Sequence, residues 1–222
     1  MSSVIIAIDG PAASGKSSVA RTLARRLRFL YINTGAMYRA VTWLAVKKGI
    51  ATDDEAAVLG MLDDCGMRFE LHGTESAIEL PGEDIASHLG DQEVNQDVSN
   101  IATMAGVRQR LVARQRAFAG DGSLVMEGRD IGSAVFPETP YKFYIDASQE
   151  VRARRREAQG LLDEISKRDR TDSSRKASPL IIAEDAHVID SSYLTIDGVV
   201  GEIIGRLKLR GLPLPPGSVT WE

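Results

Sequence analysis

Residues 4–28 constrain the fold more than any other stretch. Val4-Ile-Ile-Ala-Ile8 is an apolar, mostly β-branched run of the kind buried on both faces in a parallel sheet. It leads at once into Gly10-Pro-Ala-Ala-Ser-Gly15-Lys16-Ser17, which matches every fixed position of a phosphate-binding loop. Ser17 to Arg28 then has helical periodicity, with Val19, Leu23 and Leu27 on one face and Arg21, Arg25 and Arg28 off it. A loop that wraps a triphosphate must turn its N–H groups inward, and glycine permits the dihedrals this needs. The helix start adds unpaired N–H groups and a partial positive charge. Gly10, Pro11, Ala12, Ala13, Ser14, Gly15, Lys16, Ser17 and Ser18 are therefore expected to bind the phosphates of a nucleotide. In this reading Lys16 reaches the β and γ phosphates, and the Ser17 hydroxyl is the protein's ligand to Mg²⁺.

The 222 residues suffice for one large domain with a sizeable core. The net charge of −4 provides no global field to attract nucleic acid or an anionic membrane. Cys65 is the single cysteine, so no intrachain disulfide forms and a reducing compartment is expected. Residues 1–9 lack a basic segment and long apolar core, and no apolar run approaches about 18 residues. The expectation is a cytoplasmic protein without a leader or membrane span. His72, His88 and His187 show no metal-ligand spacing.

Five strands are predicted, over residues 4–8, 29–32, 123–126, 141–145 and 187–189, alternating with helices. The pattern implies an α/β fold with a five-stranded parallel sheet and helices on both faces. Residues 67–84 break it: two alternating runs around His72-Gly73-Thr74-Glu75 predict a small, solvent-facing antiparallel hairpin inserted into the fold. Two helices are expected over 91–105 and 107–119, separated by Gly106, and a closing helix over 196–209. Gly10 to Lys16, Asn33-Thr34, Glu127 to Asp130 and Asp146 all fall at predicted strand ends. In an open parallel sheet, that is where ligands bind.

A second group of residues is rich in arginine: Arg39, Arg108, Arg129, Arg168 and Arg175. Arginine presents a planar, permanently charged fork suited to phosphate. Arg129 lies between Gly128 and Asp130 just after a core strand, where surface charge is uncommon. Taken with Thr34-Gly-Ala-Met-Tyr-Arg39, Gly82-Glu-Asp-Ile, Val107-Arg108, Glu127-Gly-Arg-Asp-Ile-Gly132, Val135-Phe-Pro137 and Arg168-Asp-x-x-Asp172-x-x-Arg175, the chain resembles the bacterial cytidylate kinases from residue 4 to about 195.

The resemblance implies a P-loop kinase of one domain spanning residues 1–222. It would comprise a core, a monophosphate-binding part at about 35–105 that includes the hairpin, and a lid at about 150–165. It makes the nucleotide held by Gly10 to Ser18 ATP, and it implies transfer of the ATP·Mg²⁺ γ-phosphoryl to CMP or dCMP, with no nucleic-acid or membrane partner, by a monomer. Thr34, Tyr38, Arg39, Arg129 and Arg175 would hold the acceptor nucleotide near its phosphate. Ser99, Arg108 and Asp130 would meet cytosine, with Arg168 and Asp172 beside the ribose and phosphate. Lys16, Arg129 and Arg168 carry the catalytic charge in this reading. A related kinase acting on another nucleoside monophosphate or on a small-molecule hydroxyl would keep the same phosphate loop, and Asp130 with Arg108 and Ser99 is what separates the two. A non-catalytic nucleotide switch would not need five acceptor-side arginines.

The stretch between Arg152 and Arg168 is shorter than the family pattern, so a short lid with a small closing movement is expected. Arg152 and Arg155, at i and i+3 of the helix after Asp146-Ala147-Ser148, share a face. They are the expected lid pair over ATP, with Arg154 and Arg156 pointing elsewhere.

Overall fold

A computed structural model describes residues 3–158, 165–174 and 179–215, with the backbone alone for 165–168. Strands β1 (Ile5–Asp9), β2 (Leu30–Asn33), β5 (Leu124–Gly128), β6 (Tyr141–Asp146) and β7 (His187–Asp190) are all parallel, as the apolar runs require. The sheet, however, has seven strands, in the order β3-β4-β2-β5-β1-β6-β7. The hairpin of β3 (Arg68–His72) and β4 (Glu75–Glu79) is antiparallel as expected, but it extends the sheet edge and is half-buried instead of facing solvent. Phe69, Leu71 and Ile78 pack on the core and Arg114 donates to the Phe69 carbonyl, while the backbone pairing with β2 is short. Tyr31 pairs with Glu75, the Tyr31 N–H donates to the Thr74 carbonyl at 2.7 Å, and the Asn33 N–H donates to the Ser76 hydroxyl at 3.0 Å. So short a backbone pairing leaves almost no trace in local sequence.

The alternation along β1 sorts the core into two layers. Ile6 and Ile8 face α1 (Lys16–Leu27) and α8 (Ile196–Leu209), with Leu23, Phe143, Ile189 and Ile203. Ala7 faces the other side, with Ile32, Leu124 and Met126, covered by α2 (Thr34–Lys47), α3 (Glu55–Asp64), α4 (Gln92–Ile101) and α5 (Ala105–Ala117). Asn33, Asp54 and Thr195 cap α2, α3 and α8 through side-chain oxygens. The break between α4 and α5 falls at 102–104, and Gly106 lies inside the first turn of α5. There its N–H donates to Glu55 Oε1 at 2.5 Å, which ties α5 to α3. Among the described residues no helix is long and apolar enough to cross a membrane.

Phe143, 1% exposed, fills the α1/α8 layer and meets the His187 ring edge-on at 6.3 Å. Phe143→Ala should lower unfolding free energy by about 3–5 kcal/mol, read by chemical denaturation. A loss below about 1 kcal/mol would mean that this layer repacks freely.

Candidate active site

β1, β2 and β5 end level with one another: Asp9 pairs with Gly128, and Asn33 with Glu127. Their following loops therefore share one edge. The first runs from Gly10 to Gly15 and enters α1 at Lys16. Gly10 has φ +156°, and a Cβ there would lie 2.1 Å from the Ile145 carbonyl oxygen, so only glycine fits against β6. Lys16 is buried and folds back over the loop, its Nζ donating to the Pro11 carbonyl at 2.9 Å. The Ser14 hydroxyl is fully buried and has no hydrogen-bond partner among the described residues.

The second loop follows β5. A Cβ at Gly128 would lie 2.7 Å from the Thr34 hydroxyl and from Ile131, so glycine lets the start of α2 pack against the strand end. Thr34 Oγ1 donates to the Glu127 carbonyl at 2.8 Å. Arg108, on α5, forms a buried ion pair with Asp130 and lies over the Tyr38 ring at 5.9 Å. Arg129 Nε donates to Asp172 Oδ2 at 2.9 Å, and the Ser99 hydroxyl donates to Asp172 Oδ1 at 3.2 Å. Asp172 comes from α7 (Ile165–Ser173), so one buried carboxylate joins α4, α7 and the strand end. Burial lowers the proton affinity of Arg129, but its contacts with Asp172 and the nearby Glu127 and Asp169 leave it above the usual arginine range.

These residues enclose one cavity. Thr34, Tyr38, Arg39, Ser99, Arg108, Arg129, Asp130 and Asp172 all line it, together with Lys16 and Ser17. A second cavity, over the phosphate loop, is lined by Ala12, Ala13, Gly15, Lys16, Ser17 and Ser18, with Arg39, Arg129 and Arg156. The two share Lys16, Ser17, Arg39 and Arg129 and so form one crevice. Of the other expected residues, Arg168 lies in α7, where only the backbone is described, and Arg175 lies outside the described residues.

The arginines of α6 (Gln149–Glu157) sit differently from expectation. Arg152 and Arg155 do share a face, but neither is among the residues that line these two cavities. Arg152 donates to the Ala147 and Ala12 carbonyls at 3.0 and 3.2 Å and pairs with Asp169 at 2.5 Å. Arg155 donates to the Ala13 carbonyl at 3.4 Å and to the Ser191 carbonyl at 2.8 Å. Arg156, expected to point elsewhere, lines the cavity over the phosphate loop. Arg154 is exposed and pairs with Glu150, one turn earlier.

Two acids were not singled out from sequence. Glu127 lines the cavity that holds Lys16 and Ser17 and accepts from the Tyr31 hydroxyl at 3.2 Å. Burial, then the Glu127 charge, pushes the Tyr31 phenol well above its ordinary value. Asp9 is buried, and its two oxygens accept from the Ile131 and Gly132 N–H groups at 2.8 Å each. The available signal was the same for both: one acid closing an apolar strand. Hard oxygen donors suit Mg²⁺, which takes few protein ligands beside substrate phosphates. The Ser17 hydroxyl and Glu127 carboxylate in one cavity fit that pattern.

Burial raises the Asp9 pKa to about 7, against the pull of the two N–H groups; the Asp130 charge adds to the rise and Arg129 opposes it. The folded protein thus binds this proton more tightly than the unfolded chain does. The group's contribution to stability is complete below about pH 4 and is lost as pH rises through about 7. Unfolding free energy should fall across that window by up to about 1.4 kcal/mol per pH unit from this group. Denaturant titrations of wild type and Asp9→Asn at pH 5, 6, 7 and 8 check this, since the variant should lose that component of the slope.

The family model described as cytidylate kinase matches residues 6–209. A cytidylate kinase from Geobacillus sp. (strain WCH70) is 43% identical over 216 residues, covering 92% of this chain and 96% of its own. One from Desulforamulus reducens is 45% identical over 210 residues, covering 90% and 94%. One from Listeria monocytogenes serovar 1/2a is 42% identical over 218 residues, covering 93% and 97%. The family model and the near full-length matches agree with the phosphate loop: the chain belongs to the cytidylate kinase family.

Proposed function

We propose that the protein transfers the γ-phosphoryl of ATP to CMP and dCMP, giving CDP and dCDP. The observation that carries this reading is the buried Arg108–Asp130 pair, with Ser99, in the same cavity as Lys16, Arg39 and Arg129. A carboxylate accepts from the exocyclic amine of cytosine. Uracil presents a carbonyl at that position and would set acceptor against acceptor. A site built to hydrogen-bond one base rejects its mismatched analogue strongly.

The two halves of the crevice divide the work. Gly10 to Ser18 hold the ATP phosphates on loop N–H groups and the start of α1. Thr34, Tyr38 and Arg39 on α2, with Arg129 and Asp172, hold the acceptor nucleotide, and Arg168 and Arg175 belong to the same acceptor side. Lys16, Arg39 and Arg129 line both cavities, where charge moves during transfer. The acceptor is already an anionic phosphate, so positioning and charge neutralisation dominate and no general base is needed. Ser17, with the Glu127 carboxylate, would hold Mg²⁺, which when bound screens charge on the β and γ phosphates. Arg156 neutralises charge over the phosphate loop, while Arg152 and Arg155 fasten α6 to the carbonyls of Ala12 and Ala13.

The chain acts as one domain, with residues 35–105 closing on the acceptor and a short lid at 150–165, of which 159–164 lie outside the described residues. In this reading the protein acts as a monomer. ATP as donor and a lone cysteine support a cytoplasmic setting.

ADP release measured with ATP·Mg²⁺ and a panel of nucleoside monophosphates tests the activity. CMP and dCMP should be the best acceptors, with UMP weaker and AMP and GMP poor; equal turnover of AMP and CMP would overturn the reading. Lys16→Ala should lower kcat by roughly 10²-fold or more, as losses of transition-state donors do. A folded variant with near wild-type kcat would remove Lys16 from the mechanism. Asp130→Asn should raise KM for CMP and narrow the CMP/UMP ratio about tenfold, in line with the loss of one charged hydrogen bond. If both substrates lose equally, the pair with Arg108 is structural only.

A further inference from the structure

Asp9 takes no part in the roles just assigned. It closes β1 one residue before the phosphate loop, yet its side chain reaches the segment that follows β5. Both carboxylate oxygens bind consecutive peptide N–H groups there, each at 2.8 Å. The first belongs to the peptide that joins Asp130 to Ile131. Asp130 has φ −146° and ψ 24°, and the plane of that peptide is fixed by its ψ. Holding the Ile131 N–H therefore fixes how Asp130 leaves the chain.

The rest of the segment is held from the other end. Arg116 donates to the Ala134 and Val135 carbonyls at 2.9 Å, and Lys142 Nζ donates to the Pro137 carbonyl at 2.6 Å. The near end, where the base-reading residue sits, is held by Asp9. Gly132 leaves little slack: a Cβ there would lie 3.1 Å from the Lys142 side chain and 3.4 Å from Asp9 Oδ2.

We propose that Asp9 is a positioning residue that hangs the Asp130 carboxylate from the strand carrying the phosphate loop, so that acceptor-base selection is set by the same strand end that seats the donor phosphates. This rests on the cytidylate kinase reading above. The arrangement needs a carboxylate because two adjacent N–H groups require two acceptors, and a neutral isostere offers only one. Burying that charge is unfavourable, as the raised proton affinity of Asp9 reflects. A side chain with only a space-filling role would carry no such penalty.

Two variants approach the contact from opposite sides. Asp9→Asn keeps the shape but faces one of the two N–H groups with a donor. Gly132→Ala presses a methyl group against Lys142 and the Asp9 carboxylate without a forbidden backbone angle. Steady-state kinetics with CMP, UMP and ATP varied in turn, beside melting temperatures, provide the readout. Asp9→Asn should raise KM for CMP about tenfold, in line with one lost hydrogen bond to a charged acceptor. It should also narrow the CMP/UMP preference while leaving KM for ATP within about twofold. Gly132→Ala should shift the same parameters in the same direction by less, and it decides the matter alone if Asp9→Asn does not fold. If the folded variants leave KM for CMP unchanged, or weaken CMP and ATP together, Asp9 is structural and the proposal fails while the activity stands. If wild type does not phosphorylate CMP, the functional reading fails and this inference fails with it.

Discussion

Crowding of like charge governs the crevice. Lys16, Arg39, Arg129 and Arg156 line one cavity, and Arg108 lines its neighbour. Cations this close repel strongly once water is thinned out. Among the described residues, Asp130 faces Arg108 and Asp172 faces Arg129 in the crevice, and Asp169 faces Arg152 beside it. Each pair crosses between elements, from the end of β5 to α5, from the end of β5 to α7, and from α6 to α7. The helices around the crevice are thus arranged by electrostatics as much as by apolar packing. Removing one partner would leave an uncompensated buried charge, the costliest kind of defect in a core. A chain with net charge −4 can in this way gather Lys16, Arg39, Arg108, Arg129 and Arg156 at one crevice without being basic overall.

Pairing does not disable these arginines. Asp172 takes the Nε edge of Arg129, and a guanidinium carries five N–H donors in a fixed fork. The carboxylate orients the fork and offsets its charge before any substrate arrives, and donors remain for an anion. An anion that binds there meets a preorganised group, so little ordering has to accompany its arrival.

Much of this was legible in the sequence because it is local. The phosphate loop with its glycines, and the glycine that ends β5, are set by neighbours in the chain. Helical spacing also showed that Arg152 and Arg155 share a face, and they do: they reach the carbonyls of the consecutive residues Ala12 and Ala13. Spacing could not show which side of α6 looks into the cavity, because that depends on how the helix docks against residues far away in sequence, and it is Arg156 that faces inward. The hairpin was legible as a hairpin, whereas its place on the sheet edge was not. Its pairing with β2 is short, one residue pair and two hydrogen bonds to Thr74 and Ser76, and the contacts that seat it, Phe69, Leu71 and Ile78 on the core and Arg114 on the Phe69 carbonyl, come from residues far away in sequence. Asp9 shows the same limit: its proximity to the phosphate loop in sequence conceals that its partners are Ile131 and Gly132.

The walls shared by the two cavities come from separate elements: Lys16 from the start of α1, Arg39 from α2 and Arg129 from the end of β5. Their relative positions depend on β1, β2 and β5 ending in step, as the pairings Asp9 with Gly128 and Asn33 with Glu127 record. That register is fixed deep in the sheet, where Ile6 and Ile8 belong to one layer and Ala7 to the other. Slipping a strand by one residue would exchange every side chain between the layers. It would also carry a strand end about 3.3 Å along its axis, farther than any hydrogen bond in the crevice can stretch. The packing alternation of the core is therefore part of what sets the active-site geometry, because a register that satisfies both apolar layers also brings the three cations to one seam.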